Sequence, residues 1–248
     1  MTTQATGDIV TAGFVVIGDE ILSGRTKDKN IGYLAEFLTA IGVDLSEVRI
    51  VPDVEERIVE AVNALRARYT YVFTSGGIGP THDDITADAI GKAFGVPVDH
   101  DPRAVEILTA FYPKGQLTEA RLRMARIPQG ADLIENAVSK APGFRIGNVH
   151  VMAGVPAVMQ AMLDAIGPTL KTGLKMHSTA IDADVPESRI AAALGAIQDA
   201  HPGVMIGSYP RSNDGRFSTQ IVVRSRDIAA MNAAADAIRT AVADQIST

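Results

Sequence analysis

From residue 75 the chain reads Ser75-Gly76-Gly77-Ile78-Gly79-Pro80-Thr81-His82-Asp83-Asp84-Ile85-Thr86, and these residue types point to phosphate chemistry. Gly76, Gly77 and Gly79 let backbone N–H groups approach an anion with no Cβ in the way. Ser75, Thr81 and Thr86 add hydroxyl donors. The Asp83 and Asp84 carboxylates would repel a bare phosphate but suit one that arrives with a divalent cation. Of this pair, one is expected on the metal side and the other as a helix cap. His82 could bind metal or phosphate, serve as a general base, or be an ordinary surface histidine. The run has neither the Gly-Lys-Ser/Thr ending of a P-loop nor a Gly-x-Gly-x-x-Gly spacing. The plain alternative is a glycine-rich turn leading into a helix.

A second acidic pair, Asp19 and Glu20, follows the apolar run Ala12 to Ile17 within Gly18-Asp19-Glu20-Ile21-Leu22-Ser23-Gly24. Acidic residues just beyond a strand's carboxyl end occupy the usual ligand edge of an open α/β sheet. Asp19, Glu20, Asp83 and Asp84 are therefore the candidate catalytic set, with Asp19, Asp83 and Asp84 as candidate metal ligands. A solvated turn is the alternative for Asp19 and Glu20. Arg25, Lys27 and Lys140 could reach a phosphate, although a surface role is commoner for a single cation. His100, His150, His177 and His201 are scattered without ligand spacing and read as structural.

The elements that must position these residues alternate strand and helix. Ala12 to Ile17, Val43 to Val51 and Tyr71 to Thr74 read as buried strands. Helices are expected behind Asp28 and Asn30, behind an Asp53/Glu56 capping box, and from near Asp84 through Ile85, Ala89, Ile90 and Phe94. Further helices are expected from Asp101-Pro102 to about Tyr112, from Thr118 to Ala125, and from Pro156 to Ile166. Phe144 to Ile146 and Val149 to Val151 read as short strands across a turn. The alternation predicts an α/β fold: a three-layer α/β/α domain with a mostly parallel sheet over residues 1–170. A small α+β (βαββα) accessory domain is expected over 171–248. It comprises a strand Leu174 to Ile181, a helix from Pro186 to Ala200, strands Val204 to Ile206 and Phe217 to Val223 around Ser212-Asn213-Asp214-Gly215, and a helix Ile228 to Ile246. Met1 to Asp8 is expected to fray.

Composition narrows the function classes. The 248 residues are 46% hydrophobic, enough for a full core, and contain no cysteine, which removes disulfides, thiolate catalysis and cysteine zinc sites. With 29 acidic against 23 basic residues, a net charge of −6 and no basic run, nucleic acid is not an expected partner. No stretch approaches a membrane span and the first ten residues lack a signal pattern. The expectation is a cytoplasmic protein without a membrane partner.

The glycine run resembles the phosphate loop of the molybdopterin-binding (MoaB/Mog-like) domains. Its spelling is most similar to the N-terminal domain of the competence/damage-inducible protein A (CinA) family, and to the related domain fused to eukaryotic FAD synthases. Gly18 to Gly24, Asp28-Lys29-Asn30, Pro128-Gln129-Gly130-Ala131 through Asn136 and Ala141-Pro142-Gly143-Phe144, and Gly154-Val155-Pro156 carry the resemblance in the expected order. It implies a ligand site of Ser75, Gly76, Gly77, Gly79, Thr81, His82, Asn30 and Gly154. It also implies a divalent metal (magnesium, cobalt or manganese) and a phosphorylated small molecule: ADP-ribose, a dinucleotide or molybdopterin. A homo-oligomer is expected. The implied activity is a metal-dependent ADP-ribose or dinucleotide pyrophosphatase. The alternatives are a non-catalytic molybdopterin-binding module, a nucleotidyltransferase of molybdenum cofactor biosynthesis, or a degenerate scaffold. Two departures bear on this. Ala153 and Val158 stand where the family usually has proline and glutamate, and Val158 is expected to face the site. Full-length CinA proteins also carry a C-terminal amidase domain, for which no residues are expected here.

Overall fold

A computed structural model describes residues 7–213 and 216–246. Residues 1–6, and part of the turn expected at Ser212-Asn213-Asp214-Gly215, lie outside the described residues. The chain divides into two compact units, Ile9–Gly173 and a second formed from Leu174 onward together with Gly7 and Asp8.

The larger unit begins β1 (Val10–Ile17), α1 (Asp19–Leu22), α2 (Asn30–Ala40), β2 (Val43–Val51), α3 (Glu55–Arg66), β3 (Tyr71–Ser75) and α4 (Thr86–Phe94). It continues with β4 (Val98–His100), α5 (Pro102–Phe111), α6 (Glu119–Leu122), a 3-10 turn (Arg123–Ala125), β5 (Arg126–Pro128) and β6 (Asp132–Ile134). β7 (Gly143–Ile146), β8 (Val149–Met152) and α7 (Pro156–Ile166) complete it. Its sheet has the order β2-β1-β3-β8-β7-β6. β2, β1, β3 and β8 run parallel, whereas β7 pairs antiparallel with β8 and β6 antiparallel with β7.

The strand period of two decides the layers. In β1, Val15 and Ile17 pack with Ile58, Leu65, Ala89, Ile90 and Leu108 from α3, α4 and α5. Their neighbours Phe14 and Val16 pack with Leu34, Leu38, Met159 and Met162 from α2 and α7. Alternate side chains pointing to opposite faces, both apolar, make a strand buried on each side, which is what a sheet covered by helices on both faces requires. The three-layer α/β/α arrangement follows. The short pair β4-β5 forms a separate antiparallel ribbon that no sequence signal had indicated.

The smaller unit has β9 (His177–Ala183), α8 (Glu187–Ala200), β10 (Val204–Asn213), β11 (Arg216–Ser225) and α9 (Ile228–Ile246). Its antiparallel sheet, ordered β10-β11-β9, buries Ile181, Val204, Ile221 and Val223 against Ile190, Ala234 and Ile238 of the helices. The βαββα order is as expected, with β9 starting later than Leu174 and the hairpin strands longer.

Two cap assignments need correction. Asp53 and Glu56 do not form a capping box: Val54 is the residue at the cap of α3, and no side chain bonds there. Neither Asp83 nor Asp84 caps α4, which starts at Thr86 behind Ile85. The Asp101 cap with Pro102 behind it is present as expected, accepting from the N–H of Arg103 and Ala104.

Candidate functional site

Parallel pairing carries the strand ends to one edge. Val16 lies opposite Ser75 in the β1/β3 ladder, and Ser75 lies opposite Met152 in the β3/β8 ladder. The loops that leave β1, β3 and β8 therefore open side by side. Gly76 donates its N–H to Met152 O at 3.1 Å, and a Cβ on Gly154 would stand only 3.2 Å from Gly76 Cα. Between these loops lies a cleft of about 560 Å³. Gly18, Glu20 and Thr26 line it from the first loop, Gly76 to Pro80 with Asp83 and Asp84 from the second, and Ala153 to Pro156 from the third. This is the carboxyl-end crevice at which open parallel sheets bind ligands.

The glycine turn is rigidly seated. Gly76 (φ +106°) leaves no room for a side chain, since a Cβ would lie 2.1 Å from Ile17 O. Gly77 (φ +67°) would drive one into Thr86 Oγ1 at 2.2 Å. That same hydroxyl donates to Gly76 O at 2.9 Å, and the Thr86 N–H donates to Gly77 O at 2.9 Å. The turn is thus lashed to the first residue of α4. The cost of left-handed backbone for any residue other than glycine explains the residue type here.

Four carboxylates line the cleft: Glu20, Asp53, Asp83 and Asp84. Asp84 is fixed by Thr81, whose N–H donates to Asp84 Oδ2 at 2.8 Å and whose hydroxyl donates to the same oxygen. Asp53 Oδ2 accepts the Asp19 N–H at 3.0 Å and so holds the start of α1. Burial pushes the Asp53 carboxyl above the ordinary aspartate range. The Asp19 N–H bond opposes that rise, while the charges of Asp19, Glu20 and Asp83 add to it. Among the described residues no lysine or arginine lines this cleft, so its wall carries uncompensated negative charge. Nor, among them, do three histidine or carboxylate side chains gather as a complete cation site. One or two carboxylates with substrate phosphates are enough for magnesium. The residues fit a cation carried in by phosphate, and not one held by the protein alone.

Several expected site residues stand on this wall: Glu20, Gly76, Gly77, Gly79, Asp83, Asp84 and Gly154. Others stand behind it. Asn30 is buried and donates from Nδ2 to Gly154 O at 2.8 Å, so it positions the third loop. Ser75 is buried at the end of β3 with its Oγ unpartnered. Thr81 and His82 are exposed and do not line the cleft. The Asp19 side chain does not line it either; Asp53, expected at a helix cap, takes a place on the wall. Arg25, Lys27 and Lys140 do not line it, though Thr26 does. Val158 both lines the cleft and packs in the core, at 8% exposure. Asn136, expected only as part of the family pattern, lines the cleft and organises its loop: its Nδ2 donates to Ser139 Oγ and Ala141 O, and its Oδ1 accepts from the N–H groups of Val138 and Ser139.

Residues 13–172 match the family described as the probable molybdopterin binding domain. The chain belongs to that family. Residues 175–248 match the FAD synthase middle domain. A protein of Aeropyrum pernix is 34% identical over 240 residues, covering 92% of this chain and 90% of its own. The probable FAD synthase of Caenorhabditis elegans is 29% identical over 262 residues; the match takes in 95% of this chain but 50% of that protein. Among solved structures, the CinA protein of Thermoplasma acidophilum, described as of unknown function, is 34% identical with a TM-score of 0.61, covering 65% of this chain and 98% of that one. The molybdopterin-binding unit here thus has a CinA-like α/β fold. Among the described residues no helix is long and apolar enough to cross a membrane.

Proposed function

We propose that this molybdopterin-binding-domain protein binds a phosphorylated nucleotide or pterin in the cleft and hydrolyses a pyrophosphate linkage in it, ADP-ribose or a dinucleotide being the substrate class. One observation carries the reading: a glycine turn at the start of α4 shares its cleft with four carboxylates and no lysine or arginine. Backbone N–H groups of Gly77 and Gly79 hold the phosphate, aided by the positive end of α4, while the Gly76 N–H stays on Met152 O and fixes the turn. Glu20, Asp53 and Asp83 line the same cleft, where one or two of them together with the phosphate oxygens would hold a divalent cation that enters with the ligand, and Thr81 keeps Asp84 in one orientation. Such a cation, when bound, neutralises charge that builds on the phosphate oxygens. Ile78, Met124, Val155 and Val158 give an apolar wall against which a planar ring packs. Water adds to one phosphorus, the bridging P–O bond breaks, and two phosphomonoesters leave.

The test is incubation of purified protein with ADP-ribose, FAD and NAD, each with magnesium, manganese or cobalt, and identification of products by phosphorus NMR. Release of AMP in the presence of metal is the expected result. No product from any pair would refute the hydrolase.

A second reading is a binding module for molybdopterin or its adenylylated form. The apolar Val158 and Ala153 in the wall, where a carboxylate and a proline are usual in the family, favour it. Pterin fluorescence co-purifying with the protein, without turnover of any pyrophosphate, is its signature.

A further inference from the structure

Behind the glycine turn lies a second, smaller recess of about 20 Å³. Gly77, Ile78, Gly79 and Asp84 form one side of it, and all four also line the main cleft. The 3-10 turn Arg123–Ala125 and the start of β5 form the other, with two arginines on the wall, Arg123 and Arg126. Arg126 is committed: its two terminal nitrogens donate to the two oxygens of Asp88, each at 2.7 Å. Arg123 is not. Its guanidinium has no hydrogen bond or ion pair with any described residue, and its Nε is buried without a partner.

A buried guanidinium nitrogen that lacks an acceptor is costly, and most arginines are either paired or solvated. Of the two carboxylates on the same recess, Asp88 is taken by Arg126 and Asp84 accepts from Thr81 at Oδ2. The cleft in front of the turn, meanwhile, carries four carboxylates and no cation of its own. The turn therefore separates an acidic wall that lacks a counter-charge from an arginine that lacks an acceptor.

We propose that Arg123 is the anion anchor of this site: its guanidinium bonds the ligand phosphate that the Gly76–Gly79 turn holds, from the side opposite Glu20 and Asp53. The inference rests on the phosphate-binding reading above and deepens it by giving the site a polarity. Phosphate oxygens meet the planar guanidinium fork on one side, which suits their geometry better than an ammonium would. On the other side they face the carboxylates, and any cation between. The recess has room for about one water-sized group, so the ligand stays in the cleft and Arg123 approaches it along the turn. Met124, the next residue, already lines both recess and cleft and marks the route.

The experiment measures inorganic pyrophosphate and AMP binding by calorimetry for wild type, Arg123→Gln, Arg123→Lys and Arg126→Gln, with urea unfolding alongside. Arg123→Gln should weaken both ligands by tenfold or more, flatten the salt dependence of binding, and leave the unfolding midpoint unchanged or higher. Arg123→Lys should recover part of the affinity. Arg126→Gln, which breaks the Asp88 pair, should lower the midpoint with less than a threefold change in affinity. If Arg123→Gln binds as wild type does, or loses affinity only in step with stability, the anchor is refuted while phosphate binding stands. If wild type binds neither ligand, both readings fail together.

Discussion

Replacing Val158 by glutamate would restore the residue type usual in the family, yet in this chain it should first cost stability. Val158 is 8% exposed, is the third residue of α7, and packs in the cluster that holds Met159, Met162 and Leu163. Removing a buried valine from its apolar surroundings costs about 1.5–3 kcal/mol. A carboxylate in the first turn of a helix regains about 0.3–1 kcal/mol from the macrodipole. The new charge must emerge into the cleft, which Glu20, Asp53, Asp83 and Asp84 already line. At an effective dielectric of 20, one like charge at about 8 Å costs about 2 kcal/mol, and a single such neighbour sets the size of the effect expected here. Val158→Gln is the matched control: it loses the same packing without the charge. In urea unfolding without divalent metal, Val158→Glu should fall about 2 kcal/mol below Val158→Gln. Magnesium added with pyrophosphate should narrow that gap, because the extra carboxylate binds the cation more tightly and each tenfold gain in affinity over Val158→Gln is about 1.4 kcal/mol at saturation. If the two variants unfold alike and magnesium leaves the difference untouched, Val158 does not address the acidic wall and the reasoning is wrong.

Three further outcomes follow. Asp53 titrates above its unfolded value, so its folded form favours the proton and stability is lost as pH rises through the raised pKa. Asp53→Asn, which keeps an acceptor for the Asp19 N–H, should flatten that loss above about pH 4; an unchanged slope in denaturant titrations argues against it. His150, 2% exposed and stacked on Phe73 at 5.2 Å, is lowered to about 4 by burial, with Arg145 adding. Its share of stability is full above pH 6.5 and disappears as pH falls towards 4, a loss of roughly 3–3.5 kcal/mol at most. His150→Phe should remove that part of the acid sensitivity, and identical acid limbs for the two proteins would count against it. Asn30→Ala should lower stability by about 1–3 kcal/mol by stripping Gly154 O of its donor, and should weaken pyrophosphate binding as the third loop loosens. An unmoved urea midpoint would show the bond to be dispensable.

Much of the fold was legible because it is written locally. The runs Ala12 to Ile17 and Tyr71 to Thr74 are apolar on both faces, and only a doubly covered strand satisfies that. The glycine turn was readable for the same reason: Gly76 and Gly77 have no tolerated alternative where they sit. Misreadings concentrate where a side chain is used at long range. Asp53 followed by Glu56 is locally a capping box, but the carboxylate is drawn to the amide of Asp19, at the start of α1 just beyond β1, which runs beside β2. Asp84 looks like a cap until Thr81 claims it, and Asn30 looks like a helix start until its amide reaches Gly154, 124 positions away. The β4-β5 ribbon escaped notice because strands of three residues have no period to display.

The N-terminal end of the described chain has a bearing on biosynthesis. Gly7 and Asp8 group with the unit that starts at Leu174, and the Leu174 N–H donates to Asp8 O at 3.3 Å. The polypeptide therefore crosses between units twice, and in chain order the larger unit is an insertion within the smaller one. A ribosome releases Asp8 long before its partner is made, so that contact waits until the whole of Ile9–Gly173 has emerged. A truncation at Gly173 would strand Gly7 and Asp8 on the wrong fragment. A permuted gene that places Gly7 and Asp8 directly ahead of Leu174 would instead encode the smaller unit as one uninterrupted segment.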